Sequence, residues 1–141
     1  MRHTGIVVND MQRSLPFYRD LLGMSIWADF KDNSEYVQKV TGVKGANVWM
    51  IKLEPEFGGA GIELLQYLSD PQEVPARPRS CDVGCNHVAL QVDDLDAVYE
   101  KLKASGIEFH TEPRVSSDGN AKTTYCRDPE GVIVELVQML K

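Results

Sequence analysis

Residues 86–107, NHVALQVDDLDAVYEKLKASGI, carry the reading that decides the fold. His87 leads an alternating, strand-like run that closes on Asp93-Asp94. From there the apolar spacing changes to that of a helix, with Leu95, Val98, Tyr99 and Leu102 on one stripe and Gly106 as the stop. The aspartate pair reads as a helix start. The same grammar occurs once more. In HTGIVVNDMQRSLPFYRDLLGM (residues 3–24), setting His3 on His87 puts Val8 on Val92, Asp10 on Asp94 and Met11 on Leu95. The first helix carries Leu15, Tyr18, Leu21 and Leu22, and Gly23 stops it. Pro16 is tolerated in its first turn.

Three strands are expected after each helix. They are Ser25–Asp29, Asn47–Leu53 and Gly61–Tyr67 in the first half, and Ile107–His110, Ala121–Arg127 and Val132–Met139 in the second. The final strands correspond, IELLQ at 62–66 and VELVQ at 134–138. The economical reading is α+β: two tandem βαβββ modules, 1–68 and 84–141, in one domain spanning 1–141. A proline-rich linker, 69–83, joins them, with prolines at 71, 75 and 78. Within the insertion DNSEYVQKVTGVKGAN, a short helix ending at Gly42 would turn Tyr36, Val37 and Val40 to one side. SSDGNAK (116–122) reads as a mobile loop able to cover a site, and RDPEG (127–131) as a turn before the last strand.

Composition sets bounds on function. The chain has 141 residues, 43% hydrophobic and 26% charged, which suits one globular domain. A net charge of −6 argues against nucleic acid as a partner. No apolar run approaches the roughly 20 residues of a membrane span, and no secretory leader is expected. Three cysteines, an odd number, suit a reducing cytoplasm better than a disulfide framework. Cys81, Cys85 and His87 resemble half a zinc site, but no second pair follows at suitable spacing, so they read as free thiols and a separate histidine.

Strand alternation isolates two glutamates. Glu63 shares a face with Gly61, Leu65 and Tyr67, and Glu135 shares one with Ile133, Val137 and Met139. A carboxylate in the middle of an apolar strand is costly without a partner. Two of them, at matching points of a repeat that also matches His3 with His87, suggest a shared partner. If a pseudo-twofold axis relates the modules, two imidazoles and two carboxylates can converge on one divalent ion: zinc, nickel, cobalt, manganese or iron(II). The plainer alternative is a pair of surface histidines and ordinary ion pairs. The same parity puts Gly5, Val7, Leu65, Tyr67, Ala89 and Gln91 on the ligand side.

The chain resembles the vicinal oxygen chelate superfamily, which includes glyoxalase I, methylmalonyl-CoA epimerase, extradiol dioxygenases and the fosfomycin and bleomycin resistance proteins. The resemblance rests on residues 3–24, IELLQY, residues 86–107 and YCRDPEGVIVEL, and covers nearly the whole chain. It implies paired βαβββ modules whose sheets cup a metal, with His3, Glu63, His87 and Glu135 at the ligand positions. Four ligands resemble the glyoxalase and epimerase branch, in which Glu135 or Glu63 would be the catalytic base. It also implies a homodimer. Two departures count against glutathione as a cosubstrate. Glyoxalase I commonly has arginine where Val7 stands and asparagine where Tyr67 stands. Epimerases commonly have glutamine at the position of Glu63. The expected activity is therefore that of a metal-dependent lyase or isomerase acting beside a carbonyl of a small oxygenated substrate. Tyr67, Gln91 and Trp49 are its candidate contacts. An extradiol-type dioxygenase and a metal-free sequestering protein are the alternatives.

Overall fold

A computed structural model describes residues 1–56, 58–71 and 77–141. Residues 72–76 of the expected linker, Pro75 among them, lie outside the described residues. The chain forms two compact units, one through residue 75 and one from residue 76.

The first unit holds β1 (His3–Val7), α1 (Met11–Pro16), β2 (Ser25–Asp32), α2 (Glu35–Thr41), β3 (Val48–Glu54) and β4 (Gly61–Tyr67). Its sheet runs β1-β4-β3-β2, with β1 parallel to β4 and the other pairs antiparallel. The second unit holds β5 (His87–Gln91), α3 (Leu95–Ala104), β6 (Arg114–Val115), β7 (Ala121–Arg127) and β8 (Ile133–Met139), in the order β5-β8-β7-β6 with the same sense of pairing. The expected α+β modules are present, each a four-stranded mixed sheet with its first and last strands side by side.

The helices α1 and α3 are fastened in the same way. Asp10 and Asp94 cap α1 and α3, accepting from the amides of Gln12 and Ala97. The next amide in each case, Met11 N–H and Leu95 N–H, has no partner within its helix. Gln66 Oε1 accepts the first at 2.9 Å and Gln138 Oε1 the second at 3.0 Å. These glutamines end the matching IELLQ and VELVQ segments, so the repeated glutamine exists to dock the repeated helix. Ile62 and Leu64, and Val134 and Leu136, share the glutamine side of their strands and are buried.

Three local expectations are corrected. After Pro16, which offers no amide, the helix widens into a π-type turn over Phe17–Leu21, with Leu22 N–H donating to the Phe17 carbonyl at 3.1 Å. It buries Phe17 and Tyr18 edge to face. Ile107–His110 is not a full strand: only Phe109 bridges, to Cys126. Between Phe109–Cys126 and Arg114–Thr123 the register slips by two residues, and the Thr124 hydroxyl donates to the Thr111 carbonyl (2.6 Å) within the gap. Pairing resumes at Arg114–Val115. In α2, which stops at Gly42 in the left-handed conformation as expected, only Val37 points inward. Tyr36 and Val40 are 72% and 67% exposed. RDPEG does form a turn, in which Asp128 accepts from the amides of Glu130 and Val132. SSDGNAK forms the tip of the β6–β7 hairpin: Asp118 accepts from Ser116 Oγ and Asn120, bonds that hold its carboxyl below the usual range, and Ser116 N–H donates to the Ala121 carbonyl.

Candidate metal centre

In each unit the structure places a histidine against a glutamate. His3 Nε2 lies 3.2 Å from Glu63 Oε2, and His87 Nε2 lies 3.0 Å from Glu135 Oε2. Strand pairing explains the match. The histidine starts the first strand, and the glutamate stands two residues further along the adjacent parallel strand: His3 pairs with Gly61, and His87 with Ile133. Directly opposite the glutamates are Gly5 and Ala89, too small to block the imidazole. Gly61 is needed for a separate reason, since a Cβ there would lie 2.7 Å from the Leu53 carbonyl oxygen.

The donor types and spacing suit a divalent metal. Imidazole nitrogen and carboxylate oxygen sit about 2.0–2.1 Å from a first-row ion, so two neighbouring ligands of a tetrahedral or octahedral site are about 3.0–3.4 Å apart. The two pairs fall in that range. Each unit supplies two such donors; within neither unit do three or more His, Cys, Asp or Glu side chains gather as a metal cluster, among the described residues. Cys81 and Cys85 are free thiols, as is the buried Cys126.

The pairs differ on their other flank. Lys52 stands opposite Glu63 across β3 and β4, and its Nζ is 3.2 Å from Glu63 Oε1. Tyr125 stands at the corresponding place opposite Glu135, with its ring 5.3 Å from that of His87. Burial first, and then the Glu135 charge, raise the Tyr125 pKa, so its phenol is protonated at neutral pH. Lys52 also lies over the rings of Trp27 and Phe30, at 5.3 and 5.7 Å. Trp27 is the extra residue of a bulge between Ile26 and Ala28, which turns it toward Lys52. Beside His3 and Glu63 opens a cavity of about 200 Å3, lined by Arg2, Trp27, Lys52 and Glu54 among others. Sequence reasoning passed over Lys52 and Tyr125. The signal for Lys52 was the one that found Glu63, a charge in the middle of an apolar strand (VWMIKLE).

The candidate substrate residues are dispersed. Gln91 is exposed on the His87 side of β5. Tyr67 lies on the Glu63 side of β4, but packs on the cluster of Val37 from α2, Ala46, and Val48 and Met50 from β3. Trp49 pairs with Gln66, which puts it on the side away from Glu63, and its Nε1–H donates to Asp29 at 2.7 Å. Of its two expected places, the cup or a dimer seam, the cup is corrected accordingly. Val7 is 59% exposed at the end of β1.

Two βαβββ units, each with a His–Glu pair across its parallel strands, define the vicinal oxygen chelate class. The chain belongs to the Glyoxalase/Bleomycin resistance protein/Dioxygenase superfamily, whose profile matches residues 1–136. A probable lactoylglutathione lyase of Vibrio cholerae is 28% identical over 138 residues, covering 96% of this chain and 88% of that protein. A 2-epi-5-epi-valiolone epimerase from an Actinomyces species is 24% identical, covering 99% and 79%. The crystal structure of a glyoxalase family protein from Bacillus cereus superposes with a TM-score of 0.90 at 24% identity, covering 100% and 94%.

Proposed function

We propose that this chain is a metal-dependent lyase or isomerase that moves a proton beside a carbonyl of a small oxygenated substrate without using glutathione. The observation that carries this reading is the repeated His–Glu pair at metal-ligand spacing. Relatives named as a lyase and as an epimerase support the reaction class. His3, Glu63, His87 and Glu135 are the protein ligands of the divalent ion. When bound, such an ion polarises the substrate carbonyl and stabilises the charge that develops on its oxygen.

Of the two glutamates, Glu135 is the base. Both oxygens of Glu63 are engaged, Oε2 by His3 and Oε1 by Lys52. Among the described residues no cation pairs with Glu135 Oε1, which leaves it available to take the proton from carbon and return it. The neutral Tyr125 phenol beside it adds no charge at that pH. Glutathione is disfavoured because its carboxylates would meet Val7, an apolar side chain, and because Tyr67 is engaged in packing.

The test measures bound metal and then C–H exchange in heavy water over 2-oxo, 2-hydroxy and acyl-CoA compounds, with and without chelator. Expected are stoichiometric metal, its loss in the Glu63→Ala, Glu135→Ala double variant, and chelator-sensitive exchange on some panel member. Full metal in the double variant refutes the ligand set. Efficient turnover of the methylglyoxal–glutathione hemithioacetal refutes the reading of Val7 and Tyr67. Metal-loaded protein with no exchange on any compound overturns the reaction class in favour of a dioxygenase or a sequestering protein.

A further inference from the structure

We propose that Lys52 anchors an anionic oxygen group of the substrate, a carboxylate or a phosphate, in the cavity beside His3 and Glu63. The inference deepens the function proposed above and rests on it for the bound ion. Lys52 is held rather than free. Its ammonium lies over Trp27 and Phe30, pairs with one oxygen of Glu63, and is partly open to the cavity. An ammonium has three N–H donors. Glu63 takes one, and the ring contacts hold the charge over their faces without supplying an anionic acceptor.

The charge around the cavity gives the ligand its sign. Arg2 and Lys52 face Glu54 and Glu63, so the acidic and basic side chains balance. A divalent ion held also by Glu135 adds two positive charges and one negative to that balanced set, which leaves one positive charge uncompensated. An anion restores the balance, and Lys52 is the ammonium paired with Glu63 at that recess. The second unit has a phenol at the corresponding place, so the anchor belongs to one module only. A simple neutralising partner for Glu63 would require none of the aromatic packing and would not need to border a cavity.

The test loads the full-length protein with cobalt(II) and titrates pyruvate, inorganic phosphate and neutral hydroxyacetone, reading heat and the visible cobalt spectrum. Expected for wild type is saturable binding of either anion or both, with hydroxyacetone about tenfold weaker. Lys52→Met should lose about tenfold in anion affinity, leave hydroxyacetone unchanged, and bind cobalt at least as tightly as wild type because a like charge has gone. Lys52→Arg should keep most of the anion affinity. Preference for pyruvate alone identifies a carboxylate, and preference for phosphate a phosphate. Undiminished anion binding by Lys52→Met overturns the proposal, as does an equal loss for all three compounds. If Lys52→Met fails to fold, Lys52→Gln replaces it, and failure of both assigns Lys52 to structure alone. Wild type that takes up no cobalt but binds anions through Lys52 refutes the metal reading and leaves the anchor standing.

Discussion

Replacing Gln66 by methionine keeps the length of the side chain and removes the acceptor for Met11 N–H. Met11 is fully buried, and its amide, at the first position of α1, has no helical partner. Water cannot readily reach it. The 2.9 Å bond is worth about 1 kcal/mol net, and an orphaned buried amide costs about 1–3 kcal/mol. A loss of about 2 kcal/mol is therefore expected, comparable to removing a good N-cap. For a chain of this size that lowers Tm by about 6–10 °C. Gln138→Met should cost the same at Leu95, and because the two sites share no partner the double variant should show the sum. Urea melts followed by circular dichroism give the energies, and metal analysis is run in parallel. Glu63 and Glu135 lie on the opposite sides of the same strands, so metal content should be unchanged in the folded variants. A loss below about 0.5 kcal/mol, or metal loss without unfolding, would refute this account of the repeated glutamine.

Three further outcomes are expected. Burial pushes the Cys126 thiol from 9.0 to about 12, so a thiol that ionises in the unfolded chain stays protonated in the folded one. Its contribution is intact below pH 9 and declines as pH rises toward 12, by up to about 1.4 kcal/mol per pH unit. The difference in alkaline stability between wild type and Cys126→Ala, from urea melts at pH 8 to 10.5, should show that slope. Gly61→Ala should cost about 1–3 kcal/mol and loosen metal binding, because its Cβ meets a backbone oxygen at 2.7 Å; Gly5→Ala, which meets only Leu65 Cδ1 at 3.3 Å, should be tolerated in melts and metal titration. A homodimer is expected at micromolar concentration, and sedimentation showing monomer alone would exclude it.

The sequence was most legible where one periodicity governed a whole element. Gly61–Tyr67 and Ala121–Arg127 are strands with the expected limits, and α3 runs from its aspartate cap to just before Gly106. Alternation placed both glutamates correctly on one face. It could not show the partner across the next strand, because antiparallel register depends on turns. That is why Lys52 and Tyr125 are not legible in the sequence, and why alternation leaves Trp49 open between the cup and a dimer seam. In α2 the three apolar residues do not share one side, because Tyr36 and Val37 are adjacent and point about 100° apart. Ile107–His110 looks like a strand by composition, with nothing in its own residues to show the two-residue slip in register that follows it.

β4 and β8 each divide their work by parity: odd positions face the ligand side, and even positions hold the helix. These strands consequently tolerate very different kinds of genetic change. A substitution at the central odd positions, Glu63 and Glu135, alters chemistry while the helix side is left intact, so new reactions can be tried one codon at a time. An insertion or deletion of one residue between Glu63 and Gln66 exchanges the roles of the two sides, swinging either the carboxylate into the helix layer or the glutamine away from its amide. Lineages built on this scaffold should therefore vary in what stands at positions such as 63 and 135, while the three-residue interval from that position to the glutamine keeps its length.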